Sequence, residues 1–405
     1  MRGFRARASV EEFLRRIDDR VDPVGTLQVP LSNAAGRVLF SRVVAASAVP
    51  SFDRSAMDGY AVRGEETFGA TPYTPATFVI LGDSRPGHGF SGEVGPGQAV
   101  TIATGAPLPA GADAVVPVES TRCDGGRVEV TEPVPPGRHV GRIGEDIAPG
   151  TEVLPAGRVL RPQDLGVLSG LGMGEIQVHD RPEVVVLVTG DELLPAGHAA
   201  RSFQFADMNS PMLAALVRRD GGIPRVEGPI PDRRDSLREA LVNASKQADV
   251  ILISGGSSTG PEDHAPGLIT ELGELAIHGV ALRPASPAGL GFLGGVPVLL
   301  LPGNPVSCLC AYDLFAGRVI RRRAARPLEW PYRSVERPLA HKLSSALGRV
   351  DYARVKLVAG EVEPLAVSGA SILSSTTRAD GFVMIPAGLE GYPAGTSVTV
   401  WLYDG

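Results

Sequence analysis

Continuous apolar runs alternate with amphipathic segments in the second half of the chain. Three runs rich in Val, Ile and Leu cover residues 183–188, 250–253 and 296–301. Such runs are typical of strands buried on both faces of a sheet. Apolar spacing predicts helices between them, over residues 211–219 with Asn209 or Ser210 as cap, and over residues 236–248. The alternation of strand and helix predicts a parallel α/β sheet.

The rest of the chain has a different pattern. Ser9 and Glu12 form a capping-box pattern ahead of apolar residues at helical spacing, which predicts an amphipathic helix near the start. Short strands between Gly and Pro turns are then predicted at residues 78–81, 99–102, 114–118 and 128–130, which indicates a β-rich region. After Pro327 short strands return at residues 353–357 and 397–402, so we expect a separate small β domain.

Composition and charge narrow the class of protein. A chain of 405 residues predicts several domains at roughly 150 residues each. Hydrophobic residues make up 43% and charged residues 21%, as in ordinary globular proteins with large cores. The net charge of −6 argues against a nucleic-acid partner. The run Arg321–Arg323 is interpreted as the solvated end of a helix.

Two further features bear on location. Three cysteines cannot form a disulfide framework, which favours a reducing cytoplasm. No apolar run approaches the roughly 20 residues that span a bilayer, and the basic start leads into Glu11 and Glu12 rather than into an apolar signal-peptide core. We therefore expect a soluble, cytoplasmic protein with no membrane partner.

Each buried strand runs into a distinctive loop, and these loops are where a ligand site is expected, because ligands bind beyond the carboxyl ends of parallel strands. Ser254–Gly260 combines glycines with hydroxyls, which suits an oxyanion cradle. It lacks the Gly-Lys-Ser/Thr ending of a P-loop, so ATP hydrolysis is not indicated. Asn304 and Pro305 suit the start of a helix. The alternative is that these segments are ordinary turns.

Acidic residues gather at the same predicted edge of the sheet. They are Asp191, Glu192, Asp207, Asp232 and Asp263. Carboxylate oxygens are the ligands that Mg²⁺ prefers, so a metal and phosphate site is the favoured interpretation over solvated surface residues. A second polar loop, residues 50–63, contains Asp53, Ser55 and Asp58, which could bind a polar ligand or a hydrated cation; taken alone, the loop is equally consistent with a polar surface turn.

Six segments together resemble the molybdopterin molybdenumtransferase family, the MoeA and gephyrin E-domain proteins. The matching segments are residues 51–61, 103–116, 144–147, 189–193, 254–256 and 302–307. Their order and spacing run through nearly the whole chain.

The resemblance implies a multidomain fold with α/β and β parts. Residues 1–49 with 143–178 would form a discontinuous N-terminal domain, and residues 50–142 an inserted β-rich domain. Residues 179–326 would form the α/β molybdopterin-binding domain and residues 327–405 a C-terminal β-barrel domain. The resemblance also implies a homodimer, in which the β-rich loops of one subunit face the α/β domain of the other.

The activity implied by the resemblance is molybdenum cofactor biosynthesis. Family members insert molybdate into adenylylated molybdopterin and release AMP with help from Mg²⁺ or a similar cation. The molybdopterin adenylyltransferase and molybdoenzyme apoproteins would be the protein partners.

Site residues follow from the matched segments. The resemblance implies that Asp58, Thr104, Asp146, Glu192 and Asp263 are catalytic, and that Glu192, Asp232 and Asp263 hold the metal. The pterin nucleotide would be bound by residues of the strand-end loops, namely Ser254, Gly255, Gly256, Ser258, Arg283, Pro302, Gly303, Asn304, Pro305 and Ser307.

The chain departs from the family in its cations. Where the family often has a segment like Lys-Pro-Gly-Lys-Pro, this chain has Arg283-Pro-Ala-Ser286-Pro. The approach to Gly144, which is rich in arginine in the family, is reduced here to Gly141-Arg142-Ile143. Loss of a lysine should weaken anion binding, because charge-assisted hydrogen bonds are about twice as strong as neutral ones. Two alternatives therefore stay open: a diverged paralogue that binds or scaffolds the pterin without catalysis, and an enzyme that uses tungstate.

Overall fold

The protein is described by a computed structural model, which describes residues 7–258, 260, 263–366 and 369–403. The chain divides into two compact units. Unit 1 contains the residues up to Val29, residues 36–40 and the chain from Gln177 onward. Unit 2 contains residues 30–35 and 41–176.

The helices are distributed over both units. They are α1 (Val10–Arg20), α2 (Pro162–Gly170), α3 (Asn209–Arg219), α4 (Arg234–Ala244), α5 (Ala265–Leu272), α6 (Pro305–Ala311), α7 (Gly317–Arg323) and α8 (Ser374–Thr377). A π-helical segment, Tyr312–Ala316, joins α6 to α7. Within the described ranges no helix is both long and apolar enough to cross a membrane.

The strands up to residue 179 have five residues or fewer, with the exception of one strand of nine residues. They are β1 (Thr26–Pro30), β2 (Val43–Val44), β3 (Arg54–Ser55), β4 (Gly59–Val62), β5 (Ala76–Ser84), β6 (Gln98–Ile102), β7 (Ala114–Pro117), β8 (Thr121–Asp124), β9 (Arg127–Val130), β10 (Val140–Gly141), β11 (Glu152–Leu154) and β12 (Glu175–His179). The β-rich region predicted from the sequence is confirmed.

The strands after residue 182 include the three long apolar runs. They are β13 (Glu183–Thr189), β14 (Leu193–Leu194), β15 (Phe205–Ala206), β16 (Ile223–Ile230), β17 (Val250–Ser254), β18 (Glu274–His278), β19 (Leu282–Arg283), β20 (Gly289–Leu293), β21 (Val296–Leu301), β22 (Ser334–Pro338), β23 (Leu343–Ser344), β24 (Val350–Val358), β25 (Glu361–Ala366), β26 (Gly381–Ile385), β27 (Gly391–Tyr392) and β28 (Ser397–Leu402). The predictions for β13, β17 and β21 are confirmed.

Unit 2 contains a six-stranded sheet in the order β7-β4-β6-β5-β9-β8. Its pairs are antiparallel except β5 with β6, which is parallel. The side chains of Tyr60, Phe78, Val116 and Val128 belong to its core. Gly59 is required where β4 meets β7, since a Cβ there would lie 1.9 Å from the Val116 carbonyl oxygen.

Unit 1 contains a second six-stranded sheet, in the order β16-β13-β17-β21-β20-β18. Strands β16, β13, β17 and β21 are parallel. Side chains alternate between its faces, because Val184, Val186 and Leu252 belong to one core cluster, whereas Val185 and Ile251 belong to another. Burial on both faces explains the continuous apolar runs.

The sheet is not wholly parallel, which corrects the prediction. Strands β20 and β18 pair antiparallel at one edge. Gly294 and Gly295, at φ 56° and 89°, link β20 to β21. Two residues with positive φ form the turn that suits a tight hairpin, and the Gly-Gly pair is the sequence signal for it.

Two helix predictions also need correction. Helix α3 begins at Asn209, and neither Asn209 nor Ser210 is its cap. The Asp207 carboxylate accepts hydrogen bonds from both of their backbone N–H groups, at 2.8 and 3.1 Å. Helix α4 begins at Arg234 and ends at Ala244, two residues earlier at its start and four earlier at its end than predicted.

The C-terminal strands form a third sheet in unit 1, in the order β19-β24-β26-β28-β22, with β25 paired to β24. Strand β19 comes from the segment that precedes β20 and joins this sheet beside β24. This sheet and the α/β sheet belong to the same compact unit. The finer domain boundaries given above stay predictions.

A buried polar network connects the helices of unit 1, and it corrects the interpretation of the arginine run. Arg321 is buried rather than solvated, and its guanidinium lies 2.9 Å from the Asp220 carboxylate. Tyr312 donates a hydrogen bond to the same carboxylate at 2.9 Å. Arg219 pairs with both Asp220 and Asp313. Burial raises the pKa of the Asp313 carboxyl.

We expect Asp220→Ala to lower the free energy of unfolding of unit 1 by about 3–5 kcal/mol, because it leaves buried Arg321 without its carboxylate. Urea unfolding followed by tryptophan fluorescence measures it, since Trp330 and Trp401, the two tryptophans of the chain, both belong to unit 1. Glu227→Ala, which removes a partly exposed pair with Arg225, should change it by less than about 1 kcal/mol. Equal effects of the two variants would contradict the prediction.

Candidate active site

A cleft of about 620 Å³ lies in unit 1 at the carboxyl ends of β13, β17 and β21. This is where the sequence predicts the ligand site. Its lining includes most of the predicted site residues of this unit, namely Glu192, Asp232, Ser254, Gly255, Gly256, Ser258, Asp263, Pro302, Gly303, Asn304 and Pro305. Two predicted residues, Arg283 and Ser307, are not part of the lining.

The glycine loop after β17 depends on the absence of side chains. Gly255 and Gly256 have φ values of 100° and 55°, in the left-handed region that favours glycine. A Cβ at Gly255 would lie 2.5 Å from the carbonyl oxygen of Thr189. The loop therefore lies directly against the end of the neighbouring strand β13.

Four carboxylates line the cleft, those of Glu192, Asp207, Asp232 and Asp263. Asp232 and Asp191 bond reciprocally, each side chain accepting from the other's backbone N–H, at 3.2 and 3.1 Å. Asp263 accepts from the backbone N–H of Gly260 at 2.6 Å. Asp207 is largely committed to the start of α3, whereas Asp232 and Asp263 keep lone pairs beyond their single backbone bonds.

The cleft carboxylates fit Mg²⁺ in their chemistry and are not assembled into a cage. No group of three metal-ligating side chains occurs among the residues that the structure describes. Mg²⁺ is usually held by one or two carboxylates together with substrate phosphates, so a protein cage is not required for it. The three predicted metal ligands, Glu192, Asp232 and Asp263, all line this one cleft.

Cations are missing from the lining of the cleft. The described lining residues include four carboxylates and no Lys, Arg or His. Arg283, predicted as a surviving cation, instead pairs with the buried carboxylate of Asp351 on β24. Asp351 also accepts a hydrogen bond from Ser345 and lies beside Arg349. The guanidinium of Arg283 is therefore neutralised by the C-terminal sheet.

The segment after Arg283 keeps the backbone conformation of the family's pattern at one position and lacks its charged side chain at the next. Ala285 has a φ of 102°, a conformation that favours glycine and is costly for alanine. The Ser286 hydroxyl is buried and finds no hydrogen-bond partner among the described residues. The segment thus keeps a backbone suited to Pro-Gly but has lost the charged side chain.

Sequence reasoning missed two polar residues of the cleft. Asn209 and Thr189 both line it and are buried, with exposures of 6% and 5%. The Asn209 side-chain amide donates to Ser254 Oγ and to the carbonyl oxygen of Gly303, each at 2.8 Å. The sequence pattern presents Asn209 only as a possible helix cap. Nothing in the sequence near Asn209 indicates that its side chain contacts the loops at Ser254 and Gly303.

A nucleophilic cysteine is excluded from this site. Cys308 on α6 is fully buried and lies 3.9 Å from Ser254 Oγ. Burial raises the pKa of its thiol to about 12, and a protonated thiol is a poor nucleophile at neutral pH.

Two of the predicted site residues of unit 2, Asp58 and Thr104, are hydrogen-bonded to each other. Asp58 accepts hydrogen bonds from the backbone N–H and the hydroxyl of Thr104, at 2.7 and 3.1 Å. Thr104 lines a second pocket, of about 390 Å³, together with Arg54, His139 and Glu145. Burial lowers the pKa of His139.

Two other acidic residues of these loops, Asp146 and Asp53, do not line the second pocket. Asp146 is exposed. Asp53 accepts hydrogen bonds from the Ile143 backbone and from Arg142, at 2.7 and 2.9 Å, which hold its pKa below the usual value. A Cβ at Gly141 would lie 2.8 Å from a Glu145 carboxylate oxygen, which is the movable end of a side chain.

Fold and site together define a multidomain protein with an α/β ligand-binding cleft and additional β sheets. Three family models cover nearly the whole chain. Residues 8–172 match the MoeA N-terminal region (domain I and II), residues 185–322 the probable molybdopterin binding domain, and residues 336–403 the MoeA C-terminal region (domain IV).

Relatives and solved structures agree with these models. Molybdopterin molybdenumtransferase 2 of Mycobacterium tuberculosis is 37% identical over 97% of this chain and 99% of its own length. Molybdopterin molybdenumtransferase of Haemophilus influenzae is 31% identical over 93% and 94%. The crystal structure of the molybdopterin biosynthesis moea protein from Pyrococcus horikosii has a TM-score of 0.84 at 32% identity, over 99% of this chain and all of that one. The chain belongs to the MoeA family, which places it in molybdenum cofactor biosynthesis.

We expect Gly255→Ala to destabilise the cleft, because the new methyl group would collide with the Thr189 carbonyl and alanine resists the φ of 100°. The expected loss is about 1–3 kcal/mol, read from the thermal unfolding midpoint. Gly303→Ala is the matched control in the same cleft, since its Cβ would meet only the Gly255 Cα, at an ordinary 3.5 Å. A larger loss in the control than in Gly255→Ala would refute this account of the loop.

Proposed function

We propose that this chain is a molybdopterin molybdenumtransferase that inserts molybdate into adenylylated molybdopterin and releases AMP. The observation that carries the proposal is the cleft of unit 1, which combines the Gly255–Gly256 loop with the carboxylates of Glu192, Asp232 and Asp263. The volume of about 620 Å³ is in the range of small-molecule and cofactor sites. No covalent nucleophile is needed, since positioning and cation-assisted phosphate cleavage supply the catalysis.

In this proposal Glu192, Asp232 and Asp263 hold Mg²⁺ together with the substrate phosphates. The cation would neutralise charge that develops on the phosphate as AMP leaves. The protein's own part would be to hold the cation with these carboxylates, since the described lining residues offer no basic side chain to bind the phosphates directly. Ser254, Ser258 and the Pro302–Pro305 loop shape the space for the pterin nucleotide.

Further parts of the proposal rest on family membership. Asp58, Thr104 and Asp146 contribute to catalysis in a homodimer, and the Asp58–Thr104 hydrogen bonds support a fixed position for Thr104. Arg283 and Ser307 stay predictions as binding residues. The adenylyltransferase and the molybdoenzyme apoproteins are the proposed partners, in the cytoplasm. A bridge between Leu339 and Val362 supports a C-terminal barrel by linking the segment after β22 to β25.

A second candidate function is a pterin-binding paralogue without catalysis. The observation that favours it is the charge of the site: Ser286 replaces a cation, and Arg283 is paired with Asp351. A binding protein can tolerate this loss, whereas an enzyme that recruits a free dianion needs charge from another source. The choice of tungstate over molybdate is a variant of the enzyme hypothesis that the same assay addresses.

We expect purified protein with adenylylated molybdopterin, Mg²⁺ and molybdate to release AMP, and Asp263→Ala to lower the rate by about 100-fold or more, as loss of one charge-stabilising group does. Chromatographic measurement of AMP gives the rate. Glu239→Ala, which removes a carboxylate of α4 outside the cleft, should leave it unchanged. Nucleotide binding without release in the wild type would instead identify a binding module. Running the assay with tungstate in place of molybdate tests the metal preference.

Restoring the missing cations separates the two candidates. For an active enzyme, Ser286→Lys combined with Gly141→Arg should lower the molybdate KM by about tenfold with little change in kcat, because charge-assisted bonds add anion affinity. Ser286→Met is the uncharged control of similar length. Activity that appears only in the restored variant would favour the non-catalytic paralogue.

A further inference from the structure

Among the described residues, two side-chain oxygens of the cleft are buried and find no hydrogen-bond partner. They are Thr189 Oγ1, at the end of β13, and Asn209 Oδ1, at the start of α3. Both residues line the cleft and are more than nine-tenths buried. Buried polar atoms are nearly always paired in folded proteins, so two exceptions in one cleft call for a physical reason.

The position of Thr189 Oγ1 is set by the glycine loop. A Cβ at Gly255 would lie 2.8 Å from this oxygen, and a Cβ at Gly256 would lie 3.3 Å from it. The hydroxyl therefore faces the two positions of the loop where side chains are absent. A larger residue at either position would fill the space beside the hydroxyl.

The orientation of Asn209 is fixed by its amide nitrogen. Nδ2 donates to Ser254 Oγ and to the Gly303 carbonyl oxygen. Rotating the amide by half a turn would place Oδ1 against the Gly303 carbonyl, and two acceptors repel one another. The amide thus leaves Oδ1 as an acceptor without a donor among the residues that the structure describes.

The charge of the cleft limits which ligand group can satisfy these oxygens. The lining contains four carboxylates, and the described lining residues contain no basic side chain. A phosphate presents acceptors only; it could accept from the Thr189 hydroxyl but cannot satisfy Asn209 Oδ1, which needs a donor. A nitrogen heterocycle that carries an amino group and ring N–H beside each other presents donors instead.

We propose that Thr189 and Asn209 are specificity residues of this cleft, which accept hydrogen bonds from the N–H donors at the edge of an amino-substituted pyrimidinone ring. The inference rests on the proposed function, since it assigns the ring of the pterin nucleotide to the part of the cleft lined by these two residues.

The proposal makes opposite predictions for stability and binding. Thr189→Val keeps the branched shape and removes a hydroxyl that has no partner in the protein, so the thermal midpoint should be unchanged or higher. Pterin affinity, measured by isothermal titration calorimetry, should fall about tenfold, as expected for one lost hydrogen bond. Thr189→Ser, which keeps the hydroxyl, should retain pterin affinity, and AMP affinity should not change in either variant.

A pair of ring probes tests the donor specifically. Lumazine replaces the 2-amino group of pterin by a carbonyl, so wild-type protein should prefer pterin. The preference should shrink in Thr189→Val and in Asn209→Ala, a change in ratio that mere loosening of the cleft would not produce. An unchanged ratio in both variants overturns the inference, as does equal binding of both probes by the wild type.

Failure of the inference is distinguishable from failure of the proposed function. Molybdate-dependent AMP release by wild-type protein, together with an unchanged pterin-to-lumazine ratio in the variants, removes these two residues from recognition and leaves the transferase intact. A shifted ratio without AMP release supports the two residues as recognition groups and rejects the catalytic claim.

Discussion

Burial of β13, β17 and β21 on both faces is the constraint from which the site follows. Because helices cover the two sides of this sheet, the strands place their apolar side chains alternately into two cores. The polar residues that follow each strand have no place in either core and must emerge at the carboxyl edge. The parallel register then brings loops from residues 189, 254 and 301 onward to one cleft, although the sequence separates them widely.

The sequence predicts that the ligand site lies at the carboxyl edge of this sheet, but it does not predict the individual contacts there. Hydrophobic runs predict the three strands, and the residue types of their loops predict most of the lining. The antiparallel hairpin escapes prediction because β20 contains Gly289 and Gly291, and glycine weakens the signal of a strand. The roles of Asp207 and Arg321 escape it because their partners, two backbone N–H groups and Asp220, are set by tertiary structure. Local pattern carries no information on such partners.

This chain has less positive charge near the cleft than its family resemblance implies. The sequence shows that Ser286 has replaced a cation, but only the structure shows that Arg283 is also withdrawn, through Asp351 on β24. Strand β19 brings the two residues together, since Leu282 and Arg283 pair with Val350 and Asp351 in the C-terminal sheet. The C-terminal sheet therefore influences the charge near the cleft without its strands lining it.

A cleft without basic side chains in its described lining and with unpaired acceptors constrains how an anionic nucleotide could bind. In the proposed function the ring of the nucleotide would satisfy Thr189 and Asn209 through N–H donors, whereas its phosphates would be repelled by the carboxylates of the lining and would need a cation to offset that repulsion. Binding then depends on the metal more strongly than in a site that supplies its own lysines. In the proposed function the carboxylates would hold this cation, which would explain why carboxylates line the cleft while basic residues are absent from its described lining.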